Sequence, residues 1–404
     1  MPTVVLVGTL DTKGHEFNLL ADLIREHGVE VLLVDGGVLG EPLATPDVTR
    51  EEVAATVGAE IRSLASAGDR GSAMLAMAKG AAEVVKQLYR DGKLDAVGSL
   101  GGSGGSTLAS YAMQQLPIGV PKLIVSTLAS GDTRPYVGSI DITMMYSVVD
   151  IAGINRISAR IIANAAGALA GMAKARAPET SPKPTIAASM FGVTTPCVTA
   201  AREHLETLGY EVLVFHQTGA GGGSMEELIK SGHIKGVLDA TTTELCDSVV
   251  GGVLAAVPER LESAGKLGLP QVVSLGALDM VNFGPRESVP EKFSKRNLYV
   301  HNASVTLMRT TPHECTEIGE LVARKLNQAT GATELFIPLK GVSAIAMEGQ
   351  VFWDPVADAA LIGALKANLD PSKVTVHELD TDINNSEFAL AMANRLDQLI
   401  REAS

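Results

Sequence analysis

SLGGSGGS, residues 99–106, sets four glycines and three serines between the run DAVG (95–98) and a helix-compatible segment at 107–116. What the stretch means depends on the elements around it. If a parallel strand ends at its start and a helix begins at its end, backbone N–H groups there are free to approach an anion, because glycine lets the main chain come close. Ser103 and Ser106 add hydroxyl donors, and Thr107 stands where an N-cap or first-turn residue belongs. A plain strand-to-helix turn would use the same residues, so both readings stand at this point.

The surroundings alternate as a parallel sheet requires. Short β-rich runs at 3–7, 29–35, 96–100 and 122–126 are separated by helical patterns at 16–27, 51–67, 72–89, 107–116 and 155–174. Within the third helix Leu75, Ala78, Ala82, Val85 and Leu88 recur at helical spacing. The segment ARAPETSPKPT, 175–185, then interrupts with three prolines, and a domain boundary is expected there, giving domains 1–180 and 181–404. A second series follows, with strands at 186–189, 211–215, 236–239 and 272–275 and helices near 197–208 and 225–231. Past a looser stretch at 282–302 come an apolar run at 305–308, a helix at 315–328, strands at 335–338 and 374–378, and a closing helix at 387–401. The expected fold class is α/β, two doubly wound domains with mainly parallel sheets facing a cleft.

Composition narrows the function classes. The 404 residues carry a formal charge of −13 and no dense Lys/Arg stripe, which argues against a nucleic-acid partner. Cys197, Cys246 and Cys315 are too scattered for a disulfide framework or a paired-cysteine metal knuckle. Neither a basic leader nor eighteen uninterrupted apolar residues are present, so a cytoplasmic protein without a membrane partner is expected.

Several familiar chemistries fail on residue type. A P-loop needs Lys and Ser/Thr after its last glycine, and here Gly105 is followed by Ser106, Thr107 and Leu108. The dinucleotide fingerprint is missing after the first strand, where GTLDTKG (8–14) stands instead. His313 and Glu314 lack a second histidine at metalloprotease spacing, a zinc site from His301 and His313 competes with capping and surface roles, and no G-x-S-x-G elbow follows a strand.

GTLDTKG is richer than a turn needs. Lys13 could neutralise phosphate, Thr9 and Thr12 could donate to it, and Asp11 could hold a metal ion or a sugar hydroxyl; the same Asp and Thr residues could instead cap the next helix. Asp35 ends the second strand, where a ribose-binding acid or a simple cap would sit. With Gly101, Gly102, Ser103, Gly104, Gly105 and Ser106 after the third strand, and Thr127, Ser130, Gly131 and Asp132 after the fourth, polar loops converge on one rim of the first sheet. The second domain ends its strands the same way, which makes His216, Asp239, Glu244 and Asp279 the candidate catalytic residues of one polar pocket, with the histidine as acid or base.

The phrases TLDTKG (9–14), LGGSGGS (100–106), LPIGVPKLIVSTLASGD (116–132) and YVGSIDITMMYSVVDIAGIN (136–155), followed in order by MFGVTTP, GYEVLVFH, MEELI, GVLDATTTE, GALDMVNF and LMRTT, resemble one family over nearly the whole chain. It is the Tm-1-like family, UPF0261, of bacterial and fungal proteins similar to the N-terminal ATP-binding domain of the tomato mosaic virus resistance protein. The resemblance implies two Rossmann-like subdomains, ATP on the first, and a homo-oligomer, dimer or tetramer. Ser106 replaces the family's usual threonine and keeps its hydroxyl. Two functions are then expected to compete. One is an ATP-utilising enzyme, with Mg²⁺ as a possible second cofactor, acting on an unidentified small molecule in the interdomain cleft. The other is a nucleotide-dependent binding or sensing protein that breaks no bond.

Overall fold

The strand Thr3–Gly8 (β1) is buried at every position, as a strand covered on both faces must be. It opens a computed structural model that describes residues 1–178 and 183–403. The chain forms two compact units, Met1–Glu179 and Thr180–Ser404, and the boundary expected at 180/181 lies outside the described residues.

Unit 1 continues with α1 (Leu10–Glu26), β2 (Glu30–Asp35), α2 (Arg50–Ala55), α3 (Ile61–Ser66), α4 (Arg70–Arg90), β3 (Ala96–Gly101), α5 (Ser103–Met113), β4 (Lys122–Ser126), α6 (Arg134–Val137), β5 (Thr143–Tyr146) and α7 (Arg156–Lys174). Its sheet runs β2-β1-β3-β4-β5 with every pairing parallel. Side chains alternate across it: Val4 and Leu6 join the core under α1 and α7, while Val5 and Val7 join the core under α4 and α5. Helices cover both faces, which is the Rossmann-like doubly wound arrangement.

Unit 2 repeats the plan with β6 (Thr185–Met190), α8 (Thr195–Thr207), β7 (Glu211–His216), α9 (Ala220–Lys230), β8 (Ile234–Thr241), α10 (Glu244–Val250), α11 (Ser263–Lys266) and β9 (Gln271–Gly276). A small antiparallel sheet, β10 (Met280–Phe283), β11 (Leu298–Asn302) and β12 (Val305–Arg309), is inserted before α12 (Pro312–Leu326), β13 (Thr333–Pro338), α13 (Pro355–Asn368), β14 (Val374–Leu379) and α14 (Ser386–Glu402). The parallel sheet has the order β14-β13-β9-β8-β6-β7. Among the described residues no helix is long and apolar enough to cross a membrane.

The structure departs from the sequence expectations chiefly where glycines start helices. α5 begins at Ser103 and α1 at Leu10, so residues expected as loop form first turns, and in unit 2 the glycines at 221–223 lie inside α9. Glycine's poor intrinsic helix propensity hides such starts, yet tertiary packing outweighs it. The helix expected at 51–67 is two short ones, separated around Gly58, whose φ of +68° no helix tolerates.

Candidate functional site

In an open parallel sheet the crevice for a ligand lies beyond the carboxyl ends of the two strands between which the strand order reverses. In unit 1 those strands are β1 and β3, whose neighbours lead away in opposite directions. A cavity of about 510 Å³ lies there, lined by Thr9, Asp11, Thr12 and Lys13 from the β1 side and by residues 101–105 from the β3 side.

The β3 side is the N-terminus of α5. Its N-cap, Gly102, has no side chain to give, and the first amide to find an acceptor is that of Ser106, on the Gly102 carbonyl at 2.9 Å. The amides of Ser103, Gly104 and Gly105 therefore have no acceptor among the described residues, as the first turn of any uncapped helix leaves them. Aligned peptide dipoles add roughly half a positive charge at that end.

The β1 side supplies a cation and a brace. The Lys13 ammonium donates to the Ile151 carbonyl beside Asp150, another lining residue. Thr9 and Thr12 share a hydrogen bond of 2.9 Å. Asp11 accepts from the amides of Val38 at 3.2 Å, Leu39 at 3.1 Å and Gly40 at 3.4 Å, so its carboxylate holds the loop after β2 against the cavity. Asp35 is fully buried behind it, accepting from the Leu10 and Gly37 amides; burial pushes its carboxyl above the usual range, against those two hydrogen bonds.

Nine of the residues singled out on the first rim thus share one cavity wall: Thr9, Asp11, Thr12, Lys13, Gly101, Gly102, Ser103, Gly104 and Gly105. The others do not line it. Ser106 is buried against the Ser126 hydroxyl at 2.7 Å, and Thr127 hydrogen-bonds the Gly101 carbonyl through its amide. Ser130, Gly131 and Asp132 are exposed, and hydrogen bonds from Arg134 hold the Asp132 carboxyl down at about 2. The wall that sequence reasoning missed comes from α3 and α4: Leu64, Ala65, Arg70, Ala73 and Met74, with Val38 and Leu39 from the β2 loop. The available signal was GDR at 68–70, a cap before an arginine at a helix start.

Unit 2 presents a different picture. Its strand order reverses between β6 and β8, and behind that point the Arg260 guanidinium is fully buried. It donates to Asp239 at 2.5 and 2.7 Å, to Glu244 at 2.8 Å, to Gln217 at 3.2 Å and to the Thr241 carbonyl at 3.0 Å. Burial works against the guanidinium's charge, but Asp239 first and then Glu244 and Glu226 outweigh it and keep it protonated. Glu244 also accepts the Gly219 amide at 2.5 Å, at the start of α9, and only glycine fits at 222, where a Cβ would stand 2.2 Å from the same carboxylate.

Asp279 is fully buried elsewhere in the unit, accepting from Ser343 at 2.9 Å, and burial pushes its carboxyl up to about 6. His216 is exposed, its ring 5.3 Å from that of Phe191. The structure brings Asp239 and Glu244 together on one arginine and gives neither Asp279 nor His216 a bond to them.

The N-terminal and C-terminal domain models of the uncharacterised protein family UPF0261 match residues 2–178 and 183–400. A UPF0261 protein of Clostridium tetani is 58% identical over 97% of this chain and 98% of its own length, and one of Rhizobium meliloti is 47% identical over 97% of each. The ToMV resistance protein Tm-1(GCR237) of Solanum lycopersicum is 41% identical over 97% of this chain, which spans 55% of that protein. Among solved structures, a putative UDP-N-acetylglucosamine 2-epimerase from Listeria monocytogenes is similar at 12% identity and a TM-score of 0.25, covering 67% of this chain and 78% of that one.

Two outcomes are expected of unit 2. Arg260→Met leaves the buried carboxylates of Asp239, Glu244 and Glu226 without their cation and lowers unfolding free energy by about 3–5 kcal/mol in urea titrations. Asp279 has a raised folded pKa, so it favours folding fully below its unfolded value of 3.8 and loses that contribution as pH rises through about 6. Asp279→Asn escapes that loss, and its melting temperature relative to the parent therefore rises between pH 4 and pH 7.5; a flat difference contradicts the assignment.

Proposed function

This chain belongs to the uncharacterised protein family UPF0261, and we propose that its first unit is a nucleotide-binding module that takes ATP. One observation carries the reading: the acceptor-free amides of Ser103, Gly104 and Gly105 open, beside Lys13, onto a cavity at the strand-order reversal. A helix N-terminus with unsatisfied N–H groups favours phosphate, and a lysine adds the point charge that phosphate recognition commonly uses. Across the cavity, Val38, Leu39, Leu64, Ala65, Ala73 and Met74 offer an apolar wall for a base. The volume, about 510 Å³, is within the usual range for ligand pockets.

Mg²⁺ fits this reading as a passenger on the phosphates, since it keeps several waters and needs few protein carboxylates. Among the lining carboxylates Asp69 is spent on Ser72, Asp11 accepts the loop amides on Oδ2 and keeps a buried Oδ1 without a partner, and Asp150 is exposed and has no donor among the described residues. In this reading Asp150 and the free Oδ1 of Asp11 are the acceptors that would receive the ion's waters.

Of the two expected functions, binding without bond cleavage has the better support. Asp239 and Glu244 saturate Arg260, and Asp279 is sealed from solvent, so of the four candidate catalytic residues only His216 is accessible. ATP then acts as a ligand that stabilises one conformation or assembly of the chain, including self-association.

The test is calorimetric. ATP binds the parent saturably; Lys13→Ala weakens ATP by about tenfold, the value of one charge-assisted hydrogen bond, and leaves adenosine within twofold. Gly104→Val, which places a branched side chain over the free amides, abolishes ATP binding with the fold intact by circular dichroism. A non-hydrolysable analogue shifts melting temperature and sedimentation as ATP does, because ligand stabilisation depends only on affinity and concentration. Absence of nucleotide binding to the parent overturns the proposal, and phosphate release from ATP alone overturns the non-catalytic form of it.

A further inference from the structure

We infer that Asp35 is a neutral acid whose Oδ2 carries a proton and donates it in a hydrogen bond to Oδ1 of Asp11, and that this bond locks the loop after β2 into the cavity wall. The inference goes beyond the nucleotide reading and does not depend on it.

The two carboxyl groups are placed alike. Each spends one oxygen on backbone amides: Oδ1 of Asp35 accepts from Leu10 at 3.1 Å and Gly37 at 2.8 Å, and Oδ2 of Asp11 accepts from Val38, Leu39 and Gly40. The other oxygen of each, Oδ2 of Asp35 and Oδ1 of Asp11, is buried and has no partner among the described residues. The groups meet at Gly37, where a Cβ would stand 2.8 Å from Oδ1 of Asp11 and 3.0 Å from Oδ1 of Asp35. A buried acceptor left unmet is costly, and two ionised carboxylates at one glycine would add like-charge repulsion. Neither oxygen is open to solvent, so whatever completes the pair is small. One proton on Asp35 turns two unmet acceptors into a donor and its acceptor and removes one of the two charges. A carboxylate oxygen has two lone-pair directions, so the bond leaves Oδ1 of Asp11 one further position.

The surroundings favour the neutral form. Asp35 is fully buried, and burial is the largest influence on its carboxyl, pushing it above the usual range. The charge of Asp11 on α1 acts in the same direction; the Gly37 and Leu10 amides and Arg50, at the start of α2, act against it. Arg50 is shared, since it donates to the Gly40 carbonyl and pairs with Glu41 at 3.6 Å and Glu51 at 3.3 Å. Asp47, earlier in the same connection, is occupied by the Leu33 amide at 2.8 Å, and α5, whose Leu108 approaches Gly36, carries no charged residue.

The loop so held supplies Gly36, Val38 and Leu39 to the cavity wall. A carboxyl raised in the folded state favours folding fully below its unfolded value of 3.8 and loses that contribution as pH rises through its folded value. Above that point two carboxylates face each other across Gly37, and their repulsion works against the three amide bonds by which Asp11 keeps the loop.

The test uses the full chain without ligand. Carbon-13 NMR of labelled aspartate carboxyls, with Asp35 assigned by its absence from Asp35→Asn, should show Asp35 titrating above the ordinary carboxylate range. Hydrogen-exchange protection at Val38, Leu39 and Gly40, corrected for the intrinsic pH dependence of exchange, should fall beyond that midpoint by up to about tenfold per pH unit, the most that one proton supplies. In Asp35→Asn the side-chain amide provides the donor at every pH, so protection of the loop should persist and lose its pH dependence, and the variant should melt no lower than the parent at about pH 8. Titration of Asp35 at or below 3.8 in the parent overturns the inference. Loss of loop protection in Asp35→Asn at every pH also overturns it, because the carboxylate charge is then what the fold requires. Stabilisation of the ligand-free parent by Mg²⁺ alone, absent in Asp35→Asn, overturns it in favour of a cation between the two oxygens. Should Asp35→Asn fail to fold, the parent's own titration and exchange decide.

Discussion

The constraint on which unit 1 depends is the reversal of strand order between β1 and β3. Parallel pairing in register, Val4 opposite Ala96 and Leu6 opposite Gly98, brings the carboxyl ends of the two strands to one level. Each strand feeds a helix that turns back over the sheet, so the starts of α1 and α5 face one crevice with their dipoles pointing into it. Nothing in the sheet itself fills that space, because on either side of it the chain leaves toward a different edge. The cavity is a consequence of winding, and the residues around it decide only what it holds.

Unit 2 shares the topology and resolves the same crevice in another way. Arg260 and its carboxylate partners occupy buried ground behind the reversal of β6 and β8, and the loops carrying Thr194, Thr241, Thr242 and Thr243 are buried with them. Burying such a cluster costs desolvation that hydrogen bonds repay only when every donor is met, and the guanidinium here meets Asp239, Glu244, Gln217 and a carbonyl. The Arg260 guanidinium is satisfied by its own chain where the first turn of α5 leaves amides open. That asymmetry, more than any motif, separates a structural ion cluster from a ligand site.

Much of this was legible in the sequence because parallel strands announce themselves as short apolar runs and their carboxyl ends as glycine, serine and threonine. GTLDTKG and SLGGSGGS were found on those grounds, and both line the cavity. Arg70 and Met74 were not, since a helix that reaches a site by tertiary packing shows only an amphipathic pattern, identical to that of a helix that reaches nothing. Asp239 and Glu244 were visible as polar strand ends, but Arg260 lies in an irregular stretch between α10 and α11, and no spacing links it to them. Glycines at 102, 104 and 105 and at 221 and 222 concealed helix starts because propensity argues against a helix there; at 221 and 222 close approach to the His216 carbonyl and the Glu244 carboxylate demands no Cβ, whereas at 102, 104 and 105 a Cβ would meet only ordinary contacts.

The most direct measurement is amide hydrogen exchange at single-residue resolution with and without saturating ATP. The account predicts protection gained at Ser103, Gly104 and Gly105, whose amides have no acceptor in the fold, with slower exchange spreading to the start of α4. ATP-dependent protection confined to unit 2, with residues 103–105 exchanging as fast as before, would contradict it.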